Sequence, residues 1–173
     1  MTYVNKTLES PETLALARSL FTYDPKRGLL LWKPSATKRL AARRPAGKPA
    51  GSINKDGYRV VSMRKRPYSA HRVIWAMVHG RWPADLIDHK DLNRANNRLE
   101  NLREANLSQQ GANAPGKKKG LKGTILDRRN GRWMAKIIIN RKQKHIGCYA
   151  TEQEAHAAYL KAAKATWGEF ARG

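Results

Sequence analysis

Cysteine is nearly absent from this chain: Cys148 is the single one among 173 residues. One cysteine excludes an internal disulfide framework, and together with five scattered histidines it fits no zinc-finger spacing. Any metal ion would therefore be held by oxygen ligands, with or without one imidazole.

Long apolar runs are missing as well. No run of about 18 apolar residues occurs, and the N-terminus lacks the apolar core of a signal peptide. These absences predict a soluble intracellular protein without a membrane partner. The length of 173 residues predicts one domain or two small ones.

Acidic residues are few, with 13 Asp+Glu against 35 Lys+Arg, and the net charge is +22. Such an excess predicts a polyanionic partner. A membrane surface would call for a basic amphipathic helix, whereas the basic residues here lie mostly among strand and turn signals, which favours nucleic acid. A basic surface that only confers solubility is the alternative.

The charge is unevenly distributed along the chain. Residues 1–70 carry a net +11, residues 71–113 a net +1, and residues 114–173 a net +10. Basic segments supply phosphate contacts. A nearly neutral centre with clustered carboxylates binds phosphate poorly unless a cation is present, so the pattern predicts a metal-dependent site between two basic clamps.

Capping and periodicity predict the elements of the first 113 residues. Ser10 and Pro11 begin a helix that continues to Phe21, and residues 28–33 form a strand after the turn at 24–28. A hairpin turn at 55–58 feeds one alternating strand over 58–66, and a helix follows over 69–80. A further helix is expected to begin at Asn101, because Glu104 stands at capping-box spacing from it.

A flexible basic linker is predicted after this region, from the Gly, Pro and Lys residues of 111–120. Strands are expected over 121–129, 131–139 and 144–150, followed by a helix that Thr151 and Glu154 begin as a capping box. The predicted domains are 1–113, with a core of about 60–113, then a linker at 114–120 and a second domain at 121–173.

The segment Asp88–Leu102, DHKDLNRANNRLENL, concentrates acids and amides in this basic chain. Cutting a phosphodiester requires a base for the attacking water and a cation for the phosphate charge, and Asp88 and His89 supply one candidate of each. Adjacent strand residues point to opposite faces, so the two can share a site only where the strand ends or is irregular. Turn formation is the preferred reading of Asn93, Asn96 and Asn97, and His71 is read as structural.

Residues 70–83, AHRVIWAMVHGRWP, and 87–105, IDHKDLNRANNRLENLREA, resemble the HNH nucleases, in the branch of phage and mobile-intron homing endonucleases. The resemblance implies an α+β fold with a central ββα-metal module that grips one divalent ion, Mg²⁺ or Mn²⁺. It implies that Asp88 is a metal ligand and His89 the general base, with Asn101 orienting the imidazole through its backbone or side chain. The family's second ligand, an Asn or His, falls on Gln110, and Asn113 is the reserve.

Residues 123–171 resemble an AP2-type DNA-binding domain, through GRWMAKI, IGCY, TEQEA and the closing GEFA. The resemblance implies a three-stranded sheet in the major groove, backed by a helix. Family positions usually held by Arg or Trp are Ile125, Ile138 and His145 here, which predicts different or weak base readout. Trp133 is equally well read as a core residue. From both basic segments and this sheet, the candidate DNA-binding residues are Lys38, Arg39, Arg43, Arg44, Arg59, Arg64, Lys117, Lys118, Lys119, Lys122, Arg128, Arg129, Arg132, Trp133, Lys136, Lys144 and His145.

The sequence therefore predicts a metal-dependent, homing-like endonuclease that nicks or cuts double-stranded DNA to 5′-phosphate and 3′-hydroxyl ends. It would act as a monomer or weak dimer with no small-molecule substrate, in the cytoplasm of a bacterial host if a phage encodes it. The first alternative is a non-catalytic, sequence-preferring DNA-binding regulator with a decayed HNH site, which Gln110 keeps open. The second is an RNA-binding accessory protein, suggested by charge alone.

Overall fold

The structure is a computed structural model that describes residues 8–34, 42, 45–116 and 120–172. Helices and several small antiparallel sheets make up a mixed architecture that is compatible with the α+β class. The backbone divides into two units, Met1–Glu104 and Ala105–Gly173, and each is described by itself.

The first unit begins with a helix and a hairpin, and then alternates short strands with one further helix. Its described elements are α1 Pro11–Leu20, β1 Phe21–Asp24, β2 Leu29–Trp32, β3 Ser52–Ile53, β4 Arg59–Met63, β5 Arg66–Ser69, α2 Ala70–His79, β6 Leu86–His89, a 3-10 turn at Leu99–Asn101 and β7 Leu102–Ala105, which ends at the boundary between the units. The sheets are β1-β2, β3-β4-β5 and β6-β7.

The N-terminal helix and the hairpin after it follow the sequence closely. The Ser10 hydroxyl accepts a hydrogen bond from the Thr13 amide and Pro11 occupies the first helical position, as the sequence predicts. The strand predicted over 28–33 is β2, and it pairs with β1 across the turn at 25–28. The helix predicted over 69–80 is also confirmed, as α2.

Two of the predicted elements are wrong. The single strand expected over 58–66 is a hairpin, because Arg64 and Lys65 adopt φ of 48° and 62° and reverse the chain between β4 and β5. These are the positive φ values of a tight hairpin turn, and neither residue is the glycine that would have signalled it. The helix expected to begin at Asn101 begins only at Leu107, because residues 102–105 form strand β7, whose pairing with β6 overrides the capping pattern.

Apolar side chains from all parts of the first unit meet in one core. Phe21, Leu30, Met63 and Ile74 are fully buried there, and Trp75 is among the partly buried residues packed around it. The core thus joins the N-terminal hairpin, the central sheet and α2, and it extends to Ile87 of β6. Because Ile87 directly precedes Asp88, the core fixes the strand that carries the predicted site.

A buried ion pair fastens the start of the described chain to α2. Arg72 is 2% exposed, and its guanidinium donates to both carboxylate oxygens of Glu9, at 2.6 and 2.7 Å. It also donates to the carbonyls of Pro83 and Asp85, which lead into β6. A single guanidinium therefore links three segments in a place where water cannot replace it.

The second unit contains a three-stranded sheet and a long helix. Its described elements are α3 Leu107–Asn113, β8 Thr124–Asp127, β9 Arg132–Ile139, β10 Lys142–Tyr149, α4 Glu152–Trp167 and a 3-10 turn at Gly168–Phe170. The sheet order is β10-β9-β8. All three predicted strands and the Thr151–Glu154 capping box are confirmed.

Small residues allow the long helix to lie close to this sheet. Ala155, Tyr159 and Ala163 are the buried residues of α4, and Tyr159 and Ala163 pack with Ile137 of β9. At Gly123 an added Cβ would lie 2.2 Å from the Tyr159 ring, so a side chain at this position would push the helix away. The predicted linker at 114–120 includes Lys117, Lys118 and Lys119, which lie outside the described residues.

None of the helices in the described part of the chain is both long enough and apolar enough to cross a lipid bilayer.

Replacing Arg72 tests the buried ion pair. Arg72→Met keeps a side chain of similar length but leaves the Glu9 carboxylate and two carbonyls without their donor. We expect the free energy of unfolding to fall by about 3–5 kcal/mol, measured by urea denaturation. The matched control is Arg27→Met, because the Arg27–Asp24 pair is exposed and should contribute less than about 1 kcal/mol. Equal losses in the two variants would contradict the role given to Arg72.

Candidate active site

The Asp88–His89 pair lies at the C-terminal end of β6. Strand β6 ends at His89 itself, which meets the requirement that the strand stop where two adjacent side chains are to share a site. Asp88 is 6% exposed and His89 is 4% exposed. A buried acid beside a buried imidazole needs polar partners, and each has one in the first unit.

The partner of the His89 ring is the Asn97 side chain. His89 Nε2 lies 3.0 Å from Asn97 Oδ1, and Asn97 is fully buried. An amide oxygen can only accept, so with Asn97 in this orientation Nε2 donates the ring proton and the lone pair of the neutral ring is on Nδ1. The sequence predicts a turn former at Asn97, since nothing in its spacing separates it from Asn93 and Asn96. Its burial by the rest of the fold was not visible in the pattern.

Burial governs the protonation of His89. Removal from water lowers the pKa of His89 below its ordinary value, against the smaller raising effects of the Asn97 hydrogen bond and of the Asp91 and Asp88 carboxylates. The Arg94 guanidinium adds a lowering effect. His89 is therefore neutral at physiological pH, which is the state that a general base requires.

Two aromatic rings surround the imidazole. The His71 ring meets the His89 ring edge-on with centroids 5.1 Å apart, and the Tyr58 ring lies 6.0 Å from His89. His71 is fully buried, and neither of its ring nitrogens has a hydrogen-bond partner among the described residues. Burial, followed by repulsion from His89, holds the pKa of His71 well below its ordinary value. His71 is thus a neutral ring packed beside His89, and it bonds to no backbone carbonyl among the described residues.

Asn101 closes the loop that follows His89. Its side-chain oxygen accepts the Asp91 amide at 3.0 Å, and its amide nitrogen donates to the Asp91 carboxylate at 2.9 Å and to the Asn96 carbonyl at 2.8 Å. Its backbone carbonyl accepts from the Lys90 amide at 2.9 Å. The predicted orienting residue therefore holds the chain immediately after His89.

The Asp91 carboxylate is the acceptor at the centre of this loop. Burial acts to raise the pKa of Asp91, but the hydrogen bonds from Asn96, Asn101 and the Asn93 amide more than offset it, so the pKa lies below the ordinary value. Asp91 is thus a structural anion that organises the loop.

Asp88, the predicted metal ligand, pairs with Arg103 of β7. Arg103 Nε and Nη2 each lie 3.1 Å from Asp88 Oδ2. A carboxylate has two oxygens and about four lone pairs, so an ion pair at Oδ2 is compatible with a hard cation on the same group. The donor set thus fits one protein ligand to Mg²⁺ or Mn²⁺, and the guanidinium fixes the orientation of that ligand. No cluster of three His, Cys, Asp or Glu occurs within the described ranges.

The candidate second ligands belong to α3 in the second unit. Gln110 is half-buried and Asn113 is buried at 3% exposure, and both lie within Leu107–Asn113. Asn106 is the N-cap of α3, and its side chain accepts from the Gln109 amide. The choice between Gln110 and Asn113 stays a prediction.

Arg94 is a basic residue of the site that sequence analysis did not select. Its guanidinium carbon lies 5.0 Å from the centroid of the Tyr58 ring, and Nη1 donates to the Asp56 carbonyl at 2.9 Å. The side chain is exposed, and the remaining guanidinium donors have no partner in the described part of the chain. The Arg94 guanidinium is therefore held over the Tyr58 ring, near His89, with further N–H donors that can bind a ligand.

The predicted DNA-binding residues have varied environments. Those that are exposed are Arg64, Arg128, Arg129, Arg132, Lys144 and His145. Trp133 and Lys136 are half-buried, and Arg59 donates to the carbonyls of Ala50 and Gly51. Lys122 donates to the carbonyls of Ala112 and Ala114 at the end of α3, so its charge caps that helix. The remaining predicted contacts lie outside the described residues: Lys38, Arg39, Arg43, Arg44, Lys117, Lys118 and Lys119.

Comparison with known proteins adds one match. A family model described as HNH endonuclease matches residues 68–112, which include α2, the Asp88–His89 pair, Asn97 and Asn101. The match supports an HNH nuclease with DNA as its substrate, and it covers well under half of the chain. Neither the comparison with curated proteins nor that with solved structures returned a match.

The buried imidazole of His71 predicts a pH-dependent stability. In the unfolded chain His71 takes up a proton near pH 6.5, whereas in the folded protein it does so only at much lower pH. Its contribution is therefore complete above about pH 6.5 and is lost as the pH falls below that value. His71→Phe should flatten the decline in the free energy of unfolding between pH 7 and pH 5, by at most about 1.4 kcal/mol per pH unit.

The control for this measurement is the exposed His79, whose replacement by Ala should leave the slope unchanged. Urea denaturation at each pH gives the free energies. If the free energy of unfolding of His71→Phe falls between pH 7 and pH 5 as steeply as that of the wild-type protein, His71 is protonated over this range in the folded protein as well as in the unfolded chain.

Proposed function

We propose that this chain is a metal-dependent DNA endonuclease of the HNH type that hydrolyses one phosphodiester bond per active site, leaving 5′-phosphate and 3′-hydroxyl ends. The observation that carries the proposal is the buried, neutral His89, oriented by Asn97 and adjacent to Asp88, within the segment that matches the HNH endonuclease model. The homing-like and phage-derived character implied by the resemblance belongs to this proposal.

His89 acts as the general base. Burial keeps the ring neutral, and the Asn97 hydrogen bond assigns the ring proton to Nε2, so Nδ1 carries the lone pair that accepts a proton from the attacking water. The water oxygen then forms the new bond to phosphorus as the bond to the 3′ oxygen breaks. The Asn101 contacts keep the backbone after His89 in place during this step.

Asp88 would hold the divalent ion, and the second ligand that the family resemblance implies, Gln110 or Asn113, stays a prediction from the sequence. HNH nucleases generally use such an ion, and when bound it supplies positive charge for the phosphate and for the departing 3′ oxygen. Arg103 holds the Asp88 carboxylate in one orientation, so this side chain does not have to become ordered when the substrate binds.

Arg94 would bind a phosphate oxygen of the substrate. Stacking on Tyr58 and the bond to Asp56 fix its guanidinium beside the site. Guanidinium groups recognise phosphate with two parallel N–H donors, so a pre-positioned arginine binds the strand without a large ordering cost.

The second unit would supply DNA affinity. It carries the exposed Arg128, Arg129, Arg132, Lys144 and His145 on or next to a three-stranded sheet that one helix backs. This architecture is the one that the AP2-like resemblance implies, and its cations favour a polyanion. Sequence preference would require specific contacts to base edges.

Replacement of His89 tests the catalytic assignment. With supercoiled plasmid and Mg²⁺ or Mn²⁺, the wild-type protein should nick or cut the DNA, and EDTA should stop it. His89→Ala should lower the rate at least about 100-fold because it removes the general base, while a gel shift in Ca²⁺ shows unchanged DNA binding. His79→Ala, an exposed histidine outside the site, should cleave at the wild-type rate.

DNA binding without cleavage by wild-type protein, in either metal, would favour the alternative function, a DNA-binding regulator with a decayed HNH site. The departure at Gln110 from the family's Asn or His is the feature that supports this second candidate. Preferential binding of RNA over duplex DNA would contradict both.

Replacement of Arg94 tests the phosphate contact. Arg94→Ala should reduce single-turnover cleavage about tenfold because one fixed cation is lost at the reacting phosphate. Arg94→Lys should recover only part of the rate, since an ammonium lacks the planar fork. Arg66→Ala removes an exposed cation from β5 and is the matched control. If Arg66→Ala and Arg94→Ala slow cleavage equally, Arg94 contributes only to the general field.

A further inference from the structure

We propose that the N-terminal hairpin β1–β2 positions the catalytic imidazole, with Tyr23 and Gly28 acting on His89 through Asn97. The proposal rests on the proposed function, in which His89 is the general base. The sequence alone predicts no part in catalysis for this hairpin, which lies outside the matched residues 68–112.

The Tyr23 hydroxyl holds both ends of a short backbone segment. It donates to the Asn97 carbonyl at 3.2 Å and accepts from the Leu99 amide at 3.0 Å. One hydroxyl therefore satisfies an acceptor and a donor that no regular element pairs. Burial raises the pKa of Tyr23, so the hydroxyl keeps the proton that it donates.

Gly28 brings the hairpin turn against the same segment. It is buried with φ of 66°, and a Cβ built there would lie 2.6 Å from the Arg98 nitrogen and 2.8 Å from the Asn97 carbonyl carbon. Both atoms are backbone and cannot rotate away. A side chain at this position would therefore displace the Asn97–Arg98 peptide itself.

A third contact fixes the register of the two segments. Arg98 Nε donates to the Lys26 carbonyl, within the hairpin turn, at 2.8 Å. The hairpin thus holds residues 97–99 by hydrogen bonds on both sides of Gly28. These contacts join residues that are more than 70 positions apart in the chain.

The Asn97 side chain has no other support. Its Oδ1 meets His89 Nε2, and its Nδ2 is buried without a hydrogen-bond partner among the described residues. Apart from the bond to His89, no described side chain fixes the amide, and its position follows from the backbone at Asn97. Because the hairpin holds that backbone, it determines where Oδ1 meets the imidazole. Small displacements of a catalytic group reduce rates strongly.

The activity test compares two variants with two matched controls. Tyr23→Phe removes the hydroxyl, and Tyr68→Phe removes another phenol oxygen from the same buried core. Gly28→Ala displaces the segment, whereas Gly47 has a similar positive φ and an added Cβ there has no described atom within 4 Å. We expect Tyr23→Phe and Gly28→Ala to lower the single-turnover rate about tenfold or more with unchanged DNA affinity, and both controls to match wild type.

A double-mutant cycle tests the route through Asn97. Tyr23→Phe should slow the wild-type protein but have little further effect on Asn97→Ala, because the hydroxyl acts through that amide. Rate losses that multiply would overturn the proposal, as would a Tyr23→Phe variant that cleaves as fast as Tyr68→Phe.

A spectroscopic readout separates this proposal from the proposed function. Nitrogen-15 NMR of the histidine rings, with the His89 signals assigned by their loss in His89→Gln, should show an Nε2 proton protected by Asn97. That signal should exchange faster in Tyr23→Phe and Gly28→Ala but not in Tyr68→Phe or Gly47→Ala. If the wild-type protein fails to cleave DNA but the Nε2 proton exchanges faster in Tyr23→Phe and Gly28→Ala, the proposed function is wrong and the positioning proposal is supported. If the protein cleaves and His89 is unaffected, the positioning proposal is wrong.

Discussion

The hydrogen bond between His89 and Asn97 is the constraint on which the first unit depends. A buried imidazole has two nitrogens, and only a fixed partner decides which of them carries the proton. The side-chain amide oxygen of Asn97 is that partner for His89. The position of this amide depends on the hairpin, on the Asn101-centred loop and on the end of β6. One core, with residues from all three small sheets, holds this unit together.

The acids and amides clustered at 88–104 bind within the protein. Asp88 pairs with Arg103, Asp91 organises the loop, and Glu104 pairs with Arg81 while accepting from the Ala84 amide. Each such pairing fixes backbone close to His89 or β7. The near-neutral charge of the centre is therefore explained by structure-forming ion pairs and hydrogen bonds. Among these carboxylates, Asp88 directly precedes His89, the proposed general base, so it is the preferred candidate for the metal ligand.

Local signals determined most of the elements. Ser10 and Thr151 predicted the helix starts, and short apolar segments beside turn signals predicted β2, β8, β9 and β10. The failures share one cause, which is that pairing with a distant segment outweighs local preference. Residues 102–105 carry a helix-start pattern but pair with β6, and Arg64–Lys65 turn without glycine. Asn97 was missed for the same reason, since its burial depends on Tyr23, which lies 74 residues earlier.

The structure also limits what the net charge implies about DNA. Arg72 and Arg103 are buried in ion pairs, and Lys122 caps α3, so three cations are used inside the fold. Affinity for duplex DNA depends on salt with a slope of about −0.9 per neutralised phosphate, and only cations that reach a phosphate contribute. The slope therefore reports the exposed set, including Arg94, Arg128 and Lys144. A charge of +22 sets the sign of the partner, while burial decides how many phosphates the protein can neutralise.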